Sequence, residues 1–185
     1  MEVGQISADA PAGGDDFQLQ LERQSKVIMS LVKRPVTATG DVIQALREIT
    51  EAAADTLSVQ RSSVWIFSDS RTSIRCVDLF ERTTKSHQQG LELKIQDYPA
   101  YFSALEAERV VAASNSATDA RTREFTQRYL APYAISSLLD AAIWIDGVIV
   151  GIVCNEHVGP IRKWRLDERQ FCASLADVVA LTLDA

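Results

Sequence analysis

Residues Ser137–Ile145 and Val148–Asn155 read SLLDAAIWI and VIVGIVCN, with only Asp146-Gly147 between them. Both runs are dominated by Ile, Val, Leu and Ala. A two-residue Asp-Gly link between such runs is a strong signal for a tight antiparallel hairpin, because both of its residues must accept a positive φ. Strands joined in this way cannot be neighbours in a doubly wound parallel sheet, which needs a crossover of about a dozen residues or more. The hairpin therefore directs the chain to an antiparallel architecture.

Upstream, Ser63–Ser68 (SVWIFS) is β-branched and aromatic, Asp69-Ser70-Arg71 reads as a turn, and Thr72–Glu81 (TSIRCVDLFE) reads as the returning strand. A polar loop over 82–90 leads to a short alternating strand at Leu91–Ile95. Tyr98–Glu106 reads as a short helix, Arg109–Ala112 as a strand, and Asp119–Leu130 as a helix with Asp119 as its N-cap. Downstream, a charged loop over 156–165 precedes a helix opening at Asp167, with an apolar face of Phe171, Leu175, Val178, Val179 and Leu183.

At the other end, residues 1–15 are rich in Ala, Gly, Ser and Asp and read as disordered. From Asp16 a helical period sets in, carried by Phe17, Leu21, Ile28 and Leu31, and Arg34-Pro35 ends it. A second helix follows Thr39-Gly40-Asp41, with Val42, Ile43, Leu46, Ile49, Ala53 and Leu57 as its stripe. The expected fold is α+β: a central antiparallel sheet of about six strands, terminal helices on one face and two short middle helices on the other. Residues 16–40 form a leading helix and linker, and 41–185 the main domain.

The chain has 185 residues, enough for one domain with a short appendage, and a formal net charge of −6. It lacks the clustered Lys and Arg that displace counterions from phosphate, which argues against nucleic acid as a partner. Cys76, Cys154 and Cys172 are far apart and odd in number, so neither a disulfide framework nor a structural zinc site is expected, and free thiols point to the reducing cytoplasm. The first residues hold no apolar core for a signal peptide, and the longest apolar run, 141–154, is broken by Asp146-Gly147 and too short to span a bilayer. Motifs of hydrolases, kinases and P-loop proteins are absent. The two histidines, His87 and His157, fall in expected loops, poor ground for a haem or iron site.

The element order over residues 41–183, with the stretches SVWIF, YPAYFSALEAERVVAA, TDARTREF and IVGIVCNEH followed by WRLDERQFCASLAD, resembles the GAF domain family. The resemblance is to bacterial members found ahead of histidine kinase or diguanylate cyclase outputs. It implies a non-catalytic sensory or regulatory domain that binds a small molecule, dimerises, or both, within a longer signalling polypeptide. It also implies a homodimer through the terminal helices, with a signal passing to an output domain beyond residue 185.

Members of the family that bind bilins carry a cysteine at the position held here by Phe125, followed by Thr126, so the usual thioether has no sulfur to form from. Members that bind cyclic nucleotides carry an N-K-x-F-x-D-E signature. Here Asn155-Glu156, Trp164 and Asp167-Glu168 stand at those places, with Glu156 replacing the lysine, and a helix-capping role competes with nucleotide binding. The three dispersed cysteines do not reproduce the clustered thiols of methionine-sulfoxide reductases of this fold. The resemblance places a ligand pocket between sheet and middle helices, walled by Tyr98, Phe102, Phe125 and Tyr129. Asp140 is a carboxylate inside an apolar strand and requires a partner if buried, either a ligand or a structural cation such as Arg121 or Arg123.

Overall fold

The computed structural model describes residues 13–34 and 39–185. The expectation of disorder over 1–15 falls mostly on residues outside those described. Gly13–Asp15, however, belong to the first helix, α1 (Gly13–Val32), so that helix opens earlier than the apolar period beginning at Phe17 suggested. It is followed by α2 (Thr39–Leu57), then strands β1 (Arg61–Phe67), β2 (Ser73–Glu81), β3 (Ser86–Gln88) and β4 (Glu92–Lys94). Next come α3 (Pro99–Ala107), β5 (Val110–Ala113), the long pair β6 (Ile135–Ile145) and β7 (Val148–Val158), and α4 (Leu166–Leu183).

All strand pairings are antiparallel, in the order β3-β2-β1-β7-β6-β5, and β4 pairs with the same strand as β3, β2. The β6–β7 hairpin closes through Asp146 at φ 50° and Gly147 at φ 78°, the pair of positive values that such a turn demands. The expected polar loop over 82–90 contains β3, a strand the sequence did not announce. Three residues with no apolar alternation carry no readable period, and β3 exists because the edge of β2 at Leu79–Glu81 offers it a ladder.

The sheet separates two apolar layers. On one side α2 and α4 press Leu46, Ile49, Ala53, Leu57, Phe171, Leu175 and Val179 onto Val64, Leu139, Ile143 and Val153 of the sheet. Helix α1 packs on both of these helices through Val27, Ile28 and Leu31, whereas Phe17 is half exposed. On the other side α3 and residues 123–130 cover Trp65, Cys76, Leu138, Ala142 and Ile152. Alternation along β6 produces this division: Leu138 and Ala142 face the short helices, Leu139, Ala141 and Ile143 the long ones.

Backbone approach is closest at Gly151 in β7, where a Cβ would lie 2.3 Å from the Trp65 carbonyl oxygen and 2.9 Å from Ile66 Cδ1. Only a residue without a side chain permits the β1–β7 pairing at that point. Among the described residues no helix is long and apolar enough to cross a membrane.

Candidate functional site

Beneath the short helices lies a small cavity of about 30 Å³, lined by Trp65, Tyr101, Phe125, Tyr129, Asp140 and Glu156 together with Ile74, Leu93, Leu138 and Cys154. A space of this size accommodates roughly one water-sized group. Adjacent strands bring Asp140 from β6 and Cys154 and Glu156 from β7 to its floor, with their polar atoms lying beneath an apolar surface.

Asp140 is buried, and its Oδ2 accepts a hydrogen bond from the Tyr101 hydroxyl at 2.6 Å. Oδ1 receives the Asn155 N–H, at 3.4 Å, and the Cys154 thiol across the β6–β7 pairing also favours the ionised form of Asp140. No Lys, Arg or His among the described residues pairs with it. Burial is the main reason its carboxyl is pushed up to about 7, and the nearby Glu156 adds to the shift while the Tyr101 bond opposes it.

Glu156 takes the Tyr129 hydroxyl on Oε1 at 2.6 Å and faces Arg61 Nε from Oε2 at 3.2 Å. That N–H is misaligned: Glu156 Oε2, Arg61 Nε and Arg61 Nη1 are all buried without a hydrogen bond. The Arg61 guanidinium lies over the Tyr133 ring, 4.2 Å from its centroid. Desolvation raises the Glu156 carboxyl despite the opposing arginine and tyrosine.

The roof consists of residues 123–130, a 3₁₀ turn (Arg123–Phe125) running into a π-helical turn (Thr126–Leu130). Sequence periodicity suggested one helix from Asp119. Instead Asp119 makes a turn, its carboxylate binding the Arg121 backbone N–H and guanidinium and capping no helix. The Ala131 N–H reaches back to the Thr126 carbonyl, and this widened turn leaves Tyr129 and Leu130 both buried. Short π segments are often found at functional sites. The roof is fastened at its edge by Tyr98 stacked on Phe125, with centroids 4.0 Å apart, by Glu124 accepting the Ala100 N–H at 3.1 Å, and by Arg128 bonding Asp97 at 3.2 Å. Outside that stack is a surface cleft lined by Asp97, Tyr98, Arg123, Glu124 and Arg128 among others.

Of the six residues expected at the site, Phe125, Tyr129 and Asp140 line the cavity. Tyr98 stands behind Phe125, and Phe102 packs edge-on against Tyr101 and Phe67 without reaching the cavity wall. Arg121 is elsewhere: it binds Asp119, Glu108 and the Ala112 carbonyl, and the expected Arg121–Asp140 pair does not form. Arg123 lines the outer cleft instead. Tyr101, Trp65 and Arg61 are not among the expected site residues, and Glu156, singled out only at the signature position, lies in the cavity wall. A faint signal existed in Arg61, a charged residue opening an aromatic strand, but its partner is set by the β1–β7 register, which aligns Arg61 with Glu156.

Of the residues at the cyclic-nucleotide signature positions, Asp167 and Glu168 serve the start of α4, whereas Glu156 lines the cavity and Asn155 bonds Asp140 and Cys172. Asp167 binds the Arg165 guanidinium and the Gln24 amide, and Glu168 takes the Arg165 N–H and pairs with Arg162. The three thiols are buried and shifted upward, Cys76 to about 12, mainly by desolvation, which keeps them protonated and unreactive as nucleophiles.

The model of the GAF domain family matches residues 41–183. Solved structures share the fold at low identity. The GAF domain of an Acinetobacter phosphoenolpyruvate-protein phosphotransferase aligns with a TM-score of 0.69 at 10% identity, over 90% of this chain and 93% of that one. The corresponding domain from Coxiella burnetii gives 0.66 at 15% identity, over 89% and 92%. The chromophore-binding domain of a Stigmatella aurantiaca bacteriophytochrome gives 0.71 at 11% identity, over 100% of this chain and 64% of that one. Among curated protein sequences none matches.

Proposed function

The chain belongs to the GAF domain family, a family of regulatory and sensory domains, and on that premise we propose that it is a non-catalytic sensor taking a small molecule into the cavity beneath residues 123–130. The observation that carries this reading is Asp140, a buried carboxyl bordering the cavity that pairs with no cation among the described residues. Such a group is costly to the fold unless something else uses it. The roof fastenings offer a way in, since Tyr98, Glu124 and Arg128 tie residues 123–130 to the neighbouring turn by side chains alone.

A signal has a short physical route to the opposite face. Asn155 donates its N–H to Asp140 and its side-chain amide to the Leu139 carbonyl and to Cys172 Sγ on α4, at 3.1 and 3.4 Å. A ligand that changes the charge at Asp140 thereby bears on the position of α4, provided it binds the two arrangements unequally. Native mass spectrometry tests the reading. Extra mass that leaves on denaturation supports it, and an unliganded protein that also fails to bind any member of a metabolite panel removes it.

A second reading, a homodimerisation module acting in the cytoplasm ahead of an output domain, is favoured by a groove between α1, α2 and α4 lined by Leu31, Val32, Ile49, Val178 and Leu181. Val32 and Leu181 are exposed there at 47% and 62%. A dimer in solution that Leu181→Glu converts to monomer supports it. A wild-type monomer at high concentration opposes it.

A further inference from the structure

The cavity's chemistry narrows the ligand class, and this step rests on the sensory reading above. We propose that the site receives the ammonium headgroup of a small primary amine, held between the Asp140 and Glu156 carboxylates and the rings of Trp65, Tyr101, Phe125 and Tyr129.

Polar capacity is the first argument. Beside a cation both carboxyls ionise, and ionised carboxylates are acceptors only, with about four lone-pair positions each. Asp140 receives the Tyr101 hydroxyl and one long backbone N–H, and Glu156 Oε2 receives no hydrogen bond although the residue is 2% exposed. Acceptors with spare capacity just beneath the cavity's apolar surface call for a donor-rich guest that reaches them as the roof parts, and an ammonium brings three donors and no acceptor. An anionic guest meets the reverse situation, because among the described residues the cation at the site, Arg61, is already against Glu156.

Charge is the second. Arg61 serves Glu156 and the partly buried Glu81, while Asp140 pairs with no cation among the described residues, so a guest's positive charge is what would let Asp140 ionise in place. The four aromatic rings on the wall suit the same guest, since ring faces attract a desolvated cation. A hard metal ion fits less well: magnesium and calcium want six or more oxygen ligands, whereas this wall interleaves its carboxylates with a thiol and rings.

Size is the third. About 30 Å³ holds a headgroup and not a whole metabolite. The remainder of the molecule passes between Tyr98 and the Phe125 ring, which stays on the headgroup's wall, and reaches the outer cleft when that stack parts.

The test is an amide-resolved NMR titration of the whole chain with ethylammonium, butylammonium and phenethylammonium, each matched by the alcohol and carboxylate of the same length. Saturable shifts at Tyr101, Asp140, Ala142 and Cys154 with the amines alone are expected, at least tenfold weaker in Asp140→Asn. A second variant, Glu156→Gln, guards against misfolding of the first, and weakens the same titration if the proposal holds. Alcohols or carboxylates binding as well as amines, or amines binding Asp140→Asn undiminished, overturns the ammonium assignment and leaves the sensory reading standing. Silence from all probes also overturns it. A retained non-basic ligand in native mass spectrometry then keeps the sensor, and the absence of both removes the cavity as a ligand site.

Discussion

The Tyr101 hydroxyl donates to Asp140 Oδ2 at 2.6 Å, a bond that fixes α3 to the middle of β6 and is the principal satisfaction of a fully buried carboxyl. Asp140 is therefore a structural weak point as well as the leading candidate for recognition.

That conflict has a pH signature. In the unfolded chain the Asp140 carboxyl titrates at its ordinary 3.8, and in the folded protein at about 7. Between those values the unfolded state has released a proton that the native state keeps, so stability falls as pH rises through this window and levels off above it. Asp140→Asn cannot ionise, whereas Tyr101, Cys154 and Glu156, the titratable groups facing position 140, remain in both proteins. Its stability relative to wild type should rise by a few kcal/mol between about pH 4 and pH 7, each pH unit being worth about 1.4 kcal/mol. Urea denaturation of both proteins across that range checks this, and parallel curves would exclude the assignment.

Arg61 and Glu156 form a second buried charged group at the cavity. Arg61→Met strands the Glu156 carboxylate and should cost about 3–5 kcal/mol, while the double variant Arg61→Met/Glu156→Gln recovers most of the loss. A double variant no more stable than the single one would mean that Arg61 acts through its packing on Tyr133 instead.

Gly151→Ala places a Cβ against the Trp65 carbonyl, a backbone atom in a paired strand that cannot swing aside. A loss of about 3 kcal/mol is expected, at the upper end of ordinary overpacking. A thermal midpoint unchanged from wild type would contradict the close β1–β7 approach.

His87 bridges Asp78, at 3.0 Å from Nδ1, and Glu51, at 3.0 Å from Nε2, so β3 is tied to α2 by one ring. His87→Ala should therefore loosen β3 locally. Hydrogen exchange should accelerate at residues 86–88 while the β6–β7 amides keep their protection. Uniform acceleration through the sheet would show the tether to be global.

Much of the fold was legible because its signals are local. The Asp-Gly turn, the alternation of β6 and the stripes of α2 and α4 each depend on neighbours in sequence, and each appears within a few residues of its expected place. The misses share the opposite character. Strand β3 is made by the ladder of β2, and over 119–130 a turn, a 3₁₀ turn and a π segment stand in place of the expected helix, with Arg121 drawn to Glu108 of the preceding segment as well as to Asp119.

Of the site, the sequence by itself determined which strand carries an anomalous carboxylate and which aromatic residues the middle segments bring near it. Only the tertiary structure decided how these groups pair. Arg121 was a plausible counter-charge by sign, yet it is spent on Glu108 and Asp119, and Asp140 is left to Tyr101. Arg61 meets Glu156 across a strand register spanning 95 residues of chain. Hydrophobic periodicity is written residue by residue, but the pairing of buried polar groups is settled by which side chains the completed sheet and roof bring within about 3 Å of one another.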